Sequence, residues 1–237
     1  MCSFAKQIVF KIYCYMKHKI LILFFMSAII FGSCQNNRKS KVSDESGQPA
    51  VPEAQTPALA FDPASLPEEP VFELKTSEGT MVIKLYKDTP QHRDNFVKLA
   101  SERYYDNILF HRVIKGFMIQ CGDPQSRGAE PNVRLGSGGP GYTVPAEFVA
   151  TLKHKKGAIA AARTGDSVNP QKASSGSQFY IVQNEETCRQ LDGSYTVFGE
   201  VIQGIEIIDK IAATPTGAAD RPVKDIRIIS LLPVQTE

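Results

Sequence analysis

Runs of alternating apolar and polar residues recur along the chain from Val71 onward and predict short β-strands. In the first pair, Phe72 and Leu74 face Met81 and Ile83 across a turn, which is the pattern of a hairpin with one buried face. The predicted strands span residues 71–76, 80–86, 110–114, 117–120, 157–162, 178–182, 196–201 and 226–232.

Two segments have apolar residues at helical spacing instead. Thr89 and Pro90 provide an N-cap and a first-turn proline, and Phe96 and Leu99 then recur on one face. The pattern over residues 205–212 predicts a second, shorter helix. About eight short strands with two helices favour a mainly β fold. Because closing a sheet removes its exposed edges, we predict a closed eight-stranded antiparallel β-barrel capped by two α-helices.

The charge balance changes along the chain. Four of the 27 Lys and Arg residues precede Cys34 with no acid among them, which leaves 23 basic against 25 acidic residues in the remainder. That remainder is nearly neutral, whereas a nucleic-acid-binding protein normally carries a basic stripe or patch. We therefore expect no nucleic-acid partner.

The N-terminal residues 1–33 have the pattern of a signal peptide. Lys17 and Lys19 precede an apolar run that is short for a membrane span, and the signal is complete from Met16, which makes Met16 a candidate start. Small residues just before Cys34 resemble a bacterial lipoprotein signal, in which this cysteine carries the lipid. The alternative interpretation of the segment is a retained membrane anchor.

Residues 34–70 are rich in Pro, Ala, Ser, Glu and Gln and contain almost no aromatic residues. Such a composition cannot bury enough apolar surface to fold, so we predict a disordered tether after the lipidated Cys34. The folded domain is predicted to span residues 71–237. The expected location is the cell envelope, with the domain in the periplasm or exposed at the surface of a bacterial membrane.

The stretch 110–123 reads FHRVIKGFMIQCGD and predicts a tight hairpin turning at Lys115-Gly116. Residues two apart share a face of a strand, so Met118 and Gln120 project together and Arg112 projects from the partner strand. A cationic side chain and an amide therefore lie over one apolar floor.

This stretch closely resembles the signature of the cyclophilins, a family of peptidyl-prolyl cis/trans isomerases. Further family motifs follow in the same order, namely GGPGY at 138–142, EF at 147–148, GSQF at 176–179, LDG at 191–193 and VFG at 197–199. The resemblance covers roughly residues 71–234. It implies the same barrel fold and an isomerase that acts on proline-containing polypeptides.

The chemistry that the resemblance implies breaks no covalent bond. Rotation about an X-Pro bond is slow because amide resonance must be lost. A catalyst must bind the twisted amide better than the planar forms, for example by donating a hydrogen bond to the prolyl nitrogen. Arginine suits this role because its planar set of donors is permanently charged.

The resemblance also implies a role for individual residues. Arg112 donates to the prolyl nitrogen and Gln120 orients it. The pocket for the proline ring consists of Phe117, Met118, Tyr180 and Leu191. The flanking peptide would be held by Ala162 and the backbone of Arg163, and Tyr195 is a further substrate-binding position. Tyr180 replaces the usual Phe, Tyr195 replaces a His of the best-known eukaryotic members, and Gln190 replaces a tryptophan that binds cyclosporin.

Several alternatives stay open at this stage. Cys121 and Cys188 are either a disulfide or two thiols, and no metal-binding pattern includes them. His111 and His154 match family positions and are expected to be structural. We expect a monomer without a cofactor. The alternatives to an isomerase are a non-catalytic proline-peptide binding module or holdase, and a purely structural envelope lipoprotein.

Overall fold

The computed structural model describes residues 59–234, and its main element is one antiparallel sheet of eight strands. The eight strands of this sheet are β1 (Val71–Thr76), β2 (Gly79–Leu85), β3 (Arg112–Ile114), β4 (Met118–Cys121), β6 (Ala158–Ala161), β8 (Phe179–Val182), β9 (Val197–Gln203) and β10 (Ile228–Pro233). Two more strands, β5 (Thr143–Val144) and β7 (Ser174–Ser175), form a separate small pair. The helices are α1 (Pro90–Ser101), α2 (Glu185–Cys188) and α3 (Ile205–Ala212). Each of the eight predicted strands and both predicted helices is found, while α2 and the small β5–β7 pair were not predicted.

The order of the strands in the large sheet is β10-β1-β2-β9-β6-β8-β4-β3, which leaves β10 and β3 at its two ends. One isolated bridge, between Leu109 and Arg227, links the segment before β3 to the segment before β10. Asn107 in this segment has a left-handed backbone (φ 62°), which interrupts the extended conformation that a ladder requires. The two ends of the sheet thus approach each other, which makes the sheet curled, but only an isolated bridge joins these segments and the predicted closed barrel is not confirmed.

Alternate residues of β1 and β2 form the centre of the core. Phe72, Leu74, Met81 and Ile83 are all fully buried, as the period of two predicts. Burial of one such side chain stabilises the fold by roughly 1.5–3 kcal/mol. Helix α1 closes this core from one side.

The N-terminus of α1 is capped by a residue distant in sequence. The predicted cap, Thr89, makes no side-chain capping bond. Instead, the carboxylate of Glu147 accepts hydrogen bonds from the backbone N–H of Gln91 (3.0 Å) and of His92 (2.9 Å). The predicted position of the helix start is correct. The predicted capping group is wrong, because the carboxylate of Glu147, from a loop, takes the place that the threonine hydroxyl would fill.

The folded domain begins earlier than predicted. Residues 59–70 were assigned to the tether, but the ring of Phe61 lies 5.8 Å from that of Phe72 and Leu66 also packs against the core. The N–H of Ala60 donates to the carbonyl of Ser101 at 2.8 Å. These few apolar residues are enough to dock a segment whose overall composition is that of a linker.

The remaining N-terminal predictions concern the signal peptide, Met16, Cys34 and the first part of the tether, and they lie outside the described residues. Between residues 59 and 234, none of the helices has the length and apolar character needed to cross a membrane.

Candidate active site

The signature hairpin folds as predicted and presents two different faces. In its register, Arg112 lies opposite Gln120, Val113 opposite Ile119 and Ile114 opposite Met118. Val113 and Ile119 belong to the main core, whereas Met118 belongs to a second apolar cluster. The hairpin therefore places Arg112, Gln120 and Met118 on the face away from the main core.

A cavity of about 120 Å³ opens on this face. Its lining consists of the nine predicted catalytic and substrate-binding residues: Arg112, Phe117, Met118, Gln120, Ala162, Arg163, Tyr180, Leu191 and Tyr195. They come from β3, β4 and β8, from the end of β6, and from the segment after α2. The fold thus brings together residues that are up to 83 positions apart in the sequence.

The floor of the cavity is apolar and closely packed. Met118 and Tyr180 are almost completely buried, and the ring of Tyr195 meets that of Tyr180 edge-on at a centroid distance of 6.1 Å. Phe117 and Leu191 are only partly buried and pack against the same cluster. An apolar ring could lie here with its edge towards Arg112.

A buried hydrogen-bond chain supports this floor from below. The hydroxyl of Tyr180 lies 2.9 Å from Nε2 of His154, and Nδ1 of His154 lies 2.7 Å from Oδ1 of Asp192. Burial lowers the pKa of His154 and raises that of Tyr180. Burial acts to raise the pKa of Asp192, but the hydrogen bonds from His154 outweigh it and hold that pKa below its usual value. His154 is structural, as predicted, and its link to Tyr180 was not foreseen.

The side chain of Arg163 holds one wall of the cavity in place. Its guanidinium lies 4.4 Å from the centroid of the Tyr195 ring, and its Nε donates to the carbonyl of Ser194 at 2.8 Å. A terminal nitrogen also donates to Asp166 at 2.6 Å, and this hydrogen bond lowers the pKa of Asp166. The resemblance implied a role for the backbone of Arg163 only, so the wall-forming role of the side chain is an addition.

Arg112 and Gln120 have separate partners. No side-chain hydrogen bond joins these two described residues, although they lie opposite each other in the ladder, so the predicted orienting role of Gln120 has no direct side-chain contact behind it. Gln120 donates to Gln178 at 3.0 Å, and Gln178 donates in turn to the carbonyl of Gly138 at 2.8 Å. The Nε of Arg112 instead donates to Asp220 at 3.4 Å. Sequence reasoning missed Asp220, which lies in no predicted element.

A wider groove of about 840 Å³ continues from the small cavity and shares Gln120, Ala162 and Arg163 with it. Its other walls come from the glycine-rich segment 136–143 and from residues 164–178. The groove offers room for the residues that flank a proline in an extended peptide.

The two cysteines of the domain are free thiols, which excludes the disulfide alternative. Cys188 lies beneath the cavity and donates to the carbonyl of Phe117 at 3.4 Å. Burial raises the pKa of Cys188 to about 11 and raises that of Cys121 well above its usual value. Both thiols therefore stay protonated and unreactive at neutral pH.

Across residues 59–234 no group of three or more His, Cys, Asp or Glu side chains is arranged to hold a metal ion.

Two solved structures with a similar fold are of one cyclophilin type peptidyl-prolyl cis-trans isomerase. A Cryptosporidium parvum cyclophilin type peptidyl-prolyl cis-trans isomerase superposes with a TM-score of 0.62 and 28% sequence identity, over 71% of this chain and 99% of that one. A second structure of that protein, determined in the presence of the dipeptide Ala-Pro, gives a TM-score of 0.61 at 28% identity, over 70% of this chain and 99% of that one.

Sequence comparisons point the same way. The human peptidyl-prolyl cis-trans isomerase-like 1 is 37% identical over 177 residues, which are 74% of this chain and 99% of the relative. An Arabidopsis thaliana peptidyl-prolyl cis-trans isomerase is 35% identical over 162 residues, or 68% of this chain and 91% of the relative. The family model described as cyclophilin type peptidyl-prolyl cis-trans isomerase/CLD matches residues 71–232. The chain belongs to the cyclophilin-type peptidyl-prolyl cis-trans isomerase family.

Proposed function

We propose that the chain accelerates rotation about X-Pro bonds, with the proline ring in the small cavity and Arg112 at its rim as the hydrogen-bond donor. The observation that carries this proposal is the cavity itself, where a guanidinium stands at the edge of an apolar floor. Its volume of about 120 Å³ is far below the roughly 300–1,000 Å³ of sites for drug-sized ligands, so it suits one small ring of a longer substrate.

The mechanism rests on a difference between planar and twisted amides. In the planar form the prolyl nitrogen lends its lone pair to the carbonyl and accepts no hydrogen bond. When the bond twists, the lone pair localises, and a donor from Arg112 can bind it. Only interactions that strengthen in the transition state raise the rate, and each ~1.4 kcal/mol of such stabilisation is worth about tenfold.

The fixed charge of arginine suits this step. A guanidinium is a planar, permanently charged set of donors with no acceptor, so it can only donate to the prolyl nitrogen. The ring is held by Phe117, Met118, Tyr180 and Leu191 without regard to which isomer is bound, because the twist takes place outside the apolar pocket. The site therefore needs neither a metal nor a nucleophile to do its work.

A protease-coupled assay on a short X-Pro peptide tests this proposal, since chymotrypsin cleaves only the trans isomer and reports each conversion. We expect the slow phase to accelerate in proportion to protein concentration. No acceleration at micromolar protein would contradict the proposal. Peptide binding without acceleration would instead favour the non-catalytic binding module or holdase.

We further propose that the monomeric domain is anchored to a bacterial membrane through a lipid on Cys34 and that it speeds the folding of exported proteins. The support lies in the sequence, where a basic and then apolar segment ends in small residues just before Cys34. A tether that follows the lipid would keep the groove open to passing chains.

Metabolic labelling with an alkyne fatty acid tests the anchor. The wild-type chain should incorporate the label, whereas Cys34→Ser should lose it and remain as unprocessed precursor. Cys188→Ser is the matched control and should label like the wild type. Label that persists in Cys34→Ser would contradict the proposed attachment site.

A further inference from the structure

We propose that Asp220 is the positioning residue for Arg112, an inference that rests on the proposed isomerase function. Oδ2 of Asp220 accepts a hydrogen bond from Nε of Arg112 at 3.4 Å, across 108 positions of sequence. Among the described residues, Arg112 forms an ion pair with Asp220 and with no other acid. The contact uses Nε alone, which leaves both terminal nitrogens of the guanidinium free to donate to a substrate.

The backbone at Asp220 adopts an unfavourable conformation to present this carboxylate. Ala219 and Asp220 both have left-handed backbone angles, with φ of 57° and 59°. Residues with a Cβ atom rarely adopt this region, and two in succession are rarer still. Such a conformation persists only where the surroundings hold it, and conformations of this kind concentrate at functional sites.

The residue after Asp220 supplies that hold. Arg221 is 9% exposed, and its guanidinium donates to the carbonyls of Ala129 (3.1 Å) and Glu130 (2.8 Å) and to Asp225 (3.0 Å). At the base of the turn, the N–H of Gly217 donates to the carbonyl of Arg221 at 2.8 Å. The carboxylate of Asp220 is therefore carried by a turn that is tied to a neighbouring loop and closed on itself.

The orientation of Arg112 needs such a partner. About 41% of its side chain is exposed, and a free arginine at a rim would populate several rotamers. The side chain of its neighbour Gln120 donates to Gln178 and makes no hydrogen bond to the Arg112 side chain. Asp220 thus restricts Arg112 to orientations that leave its terminal donors available at the cavity.

Loss of Asp220 should therefore affect turnover more than substrate binding. Asp220 does not line the cavity that the apolar residues form around the proposed proline site, so KM should change little. Misplacement of a catalytic group by about 1 Å can cost up to about a hundredfold in rate. We expect Asp220→Ala to lower kcat roughly tenfold, with Asp220→Asn intermediate because its amide oxygen still accepts a hydrogen bond.

A double-mutant cycle on the full-length protein tests the proposal. We expect Asp220→Ala to lower kcat in the wild type and to cause no further loss in an Arg112→Ala background, since Asp220 acts through Arg112. Asp94→Ala is the matched control, because Asp94 accepts from Nε of Arg93 at 2.7 Å on α1 outside both cavities, and it should leave kcat unchanged.

Three outcomes would overturn the inference: wild-type kcat in Asp220→Ala, a kcat raised above wild type, or an equal loss in both backgrounds. A raised kcat would mean that the carboxylate competes with the substrate for Arg112. Failure of the proposed function is a separate result, because the wild-type protein itself would then show no acceleration. Unchanged circular dichroism of Asp220→Asn checks that the turn still folds.

Discussion

The hydroxyl of Tyr180 lies 2.9 Å from Nε2 of His154, so the floor of the candidate proline pocket is hydrogen-bonded to a fully buried histidine. The family resemblance places a phenylalanine of many members at this position, which could not make the bond. The extra oxygen points away from the cavity and into the domain. It therefore serves the stability of the floor and leaves the apolar surface above it unchanged.

Tyr180→Phe should lower stability and preserve catalysis. Removal of the hydroxyl leaves Nε2 of His154 buried without a partner, which costs about 1–3 kcal/mol. Urea unfolding measures the loss, and kcat/KM should stay within about twofold of wild type because the ring remains. Tyr195→Phe is the matched control, since its hydroxyl has no hydrogen-bond partner among the described residues. Equal stability of the two variants would contradict the assigned bond.

The pH dependence of stability should follow three buried histidines. Burial is the main cause that lowers the pKa of His92, His111 and His154, against opposing effects of Glu147, Asp123 and Asp192 respectively. A histidine with a lowered folded pKa binds its proton more readily in the unfolded chain. The free energy of unfolding should therefore be largest above the unfolded pKa of about 6.5 and fall as the pH drops below it.

Urea midpoints between pH 8 and pH 5 measure this effect. The midpoint should decrease towards acid in the wild type and decrease less in His111→Gln, which carries one titrating group fewer. A midpoint that is flat or rises towards pH 5 would contradict the pKa directions.

Glu147, which caps the N-terminus of α1, should contribute more to stability than the exposed carboxylate of Glu102 at the other end of this helix. Its side chain is only 10% exposed and accepts from the N–H groups of Gln91 and His92 and from the His92 ring. Glu147→Ala leaves these donors without a partner and should cost about 2 kcal/mol or more. Glu102→Ala removes an exposed pair with Lys98 and should cost about 0.5 kcal/mol or less. Thermal unfolding separates the two variants, and equal losses would sink the capping role.

Cyclosporin should inhibit the protein poorly. The family resemblance places a tryptophan of drug-sensitive members at Gln190, whose amide here donates to the carbonyl of Thr187 at 3.0 Å and lines neither cavity. Loss of a large aromatic anchor commonly costs a complex about 2 kcal/mol, or roughly thirtyfold in affinity. Inhibition curves should therefore shift to lower concentration in Gln190→Trp, and equal potency on both proteins would show that the position is misassigned.

The sequence predicts the local part of the site well. Arg112, Met118 and Gln120 lie within one hairpin, so the period of two and the turn at Gly116 are enough to place them on a common face. The remaining members of the cavity came from the resemblance, since no local rule relates Tyr180 or Leu191 to the hairpin.

The contacts that sequence reasoning missed are long-range. Asp220 reaches Arg112 across 108 positions, and Glu147 caps a helix that starts 57 residues earlier. No local rule separates Asp220 from an ordinary surface acid, and the EF motif that contains Glu147 does not by itself indicate a capping role. The docking of Phe61 was missed for a related reason, because composition averaged over a linker conceals a single aromatic residue that fits the core.

The exchange rate of an Ala-Pro peptide, measured by NMR with wild type and Arg112→Ala side by side, shows whether Arg112 stabilises the twisted prolyl bond. Arg103→Ala is the control, since Arg103 is an exposed arginine paired with Asp106 outside both cavities. We predict that the wild type and the control accelerate exchange equally. Arg112→Ala should lose more than tenfold in kcat/KM, which corresponds to at least ~1.4 kcal/mol of transition-state stabilisation. Its circular dichroism should be unchanged. A variant Arg112→Ala that keeps more than about a tenth of the wild-type kcat/KM would contradict the account.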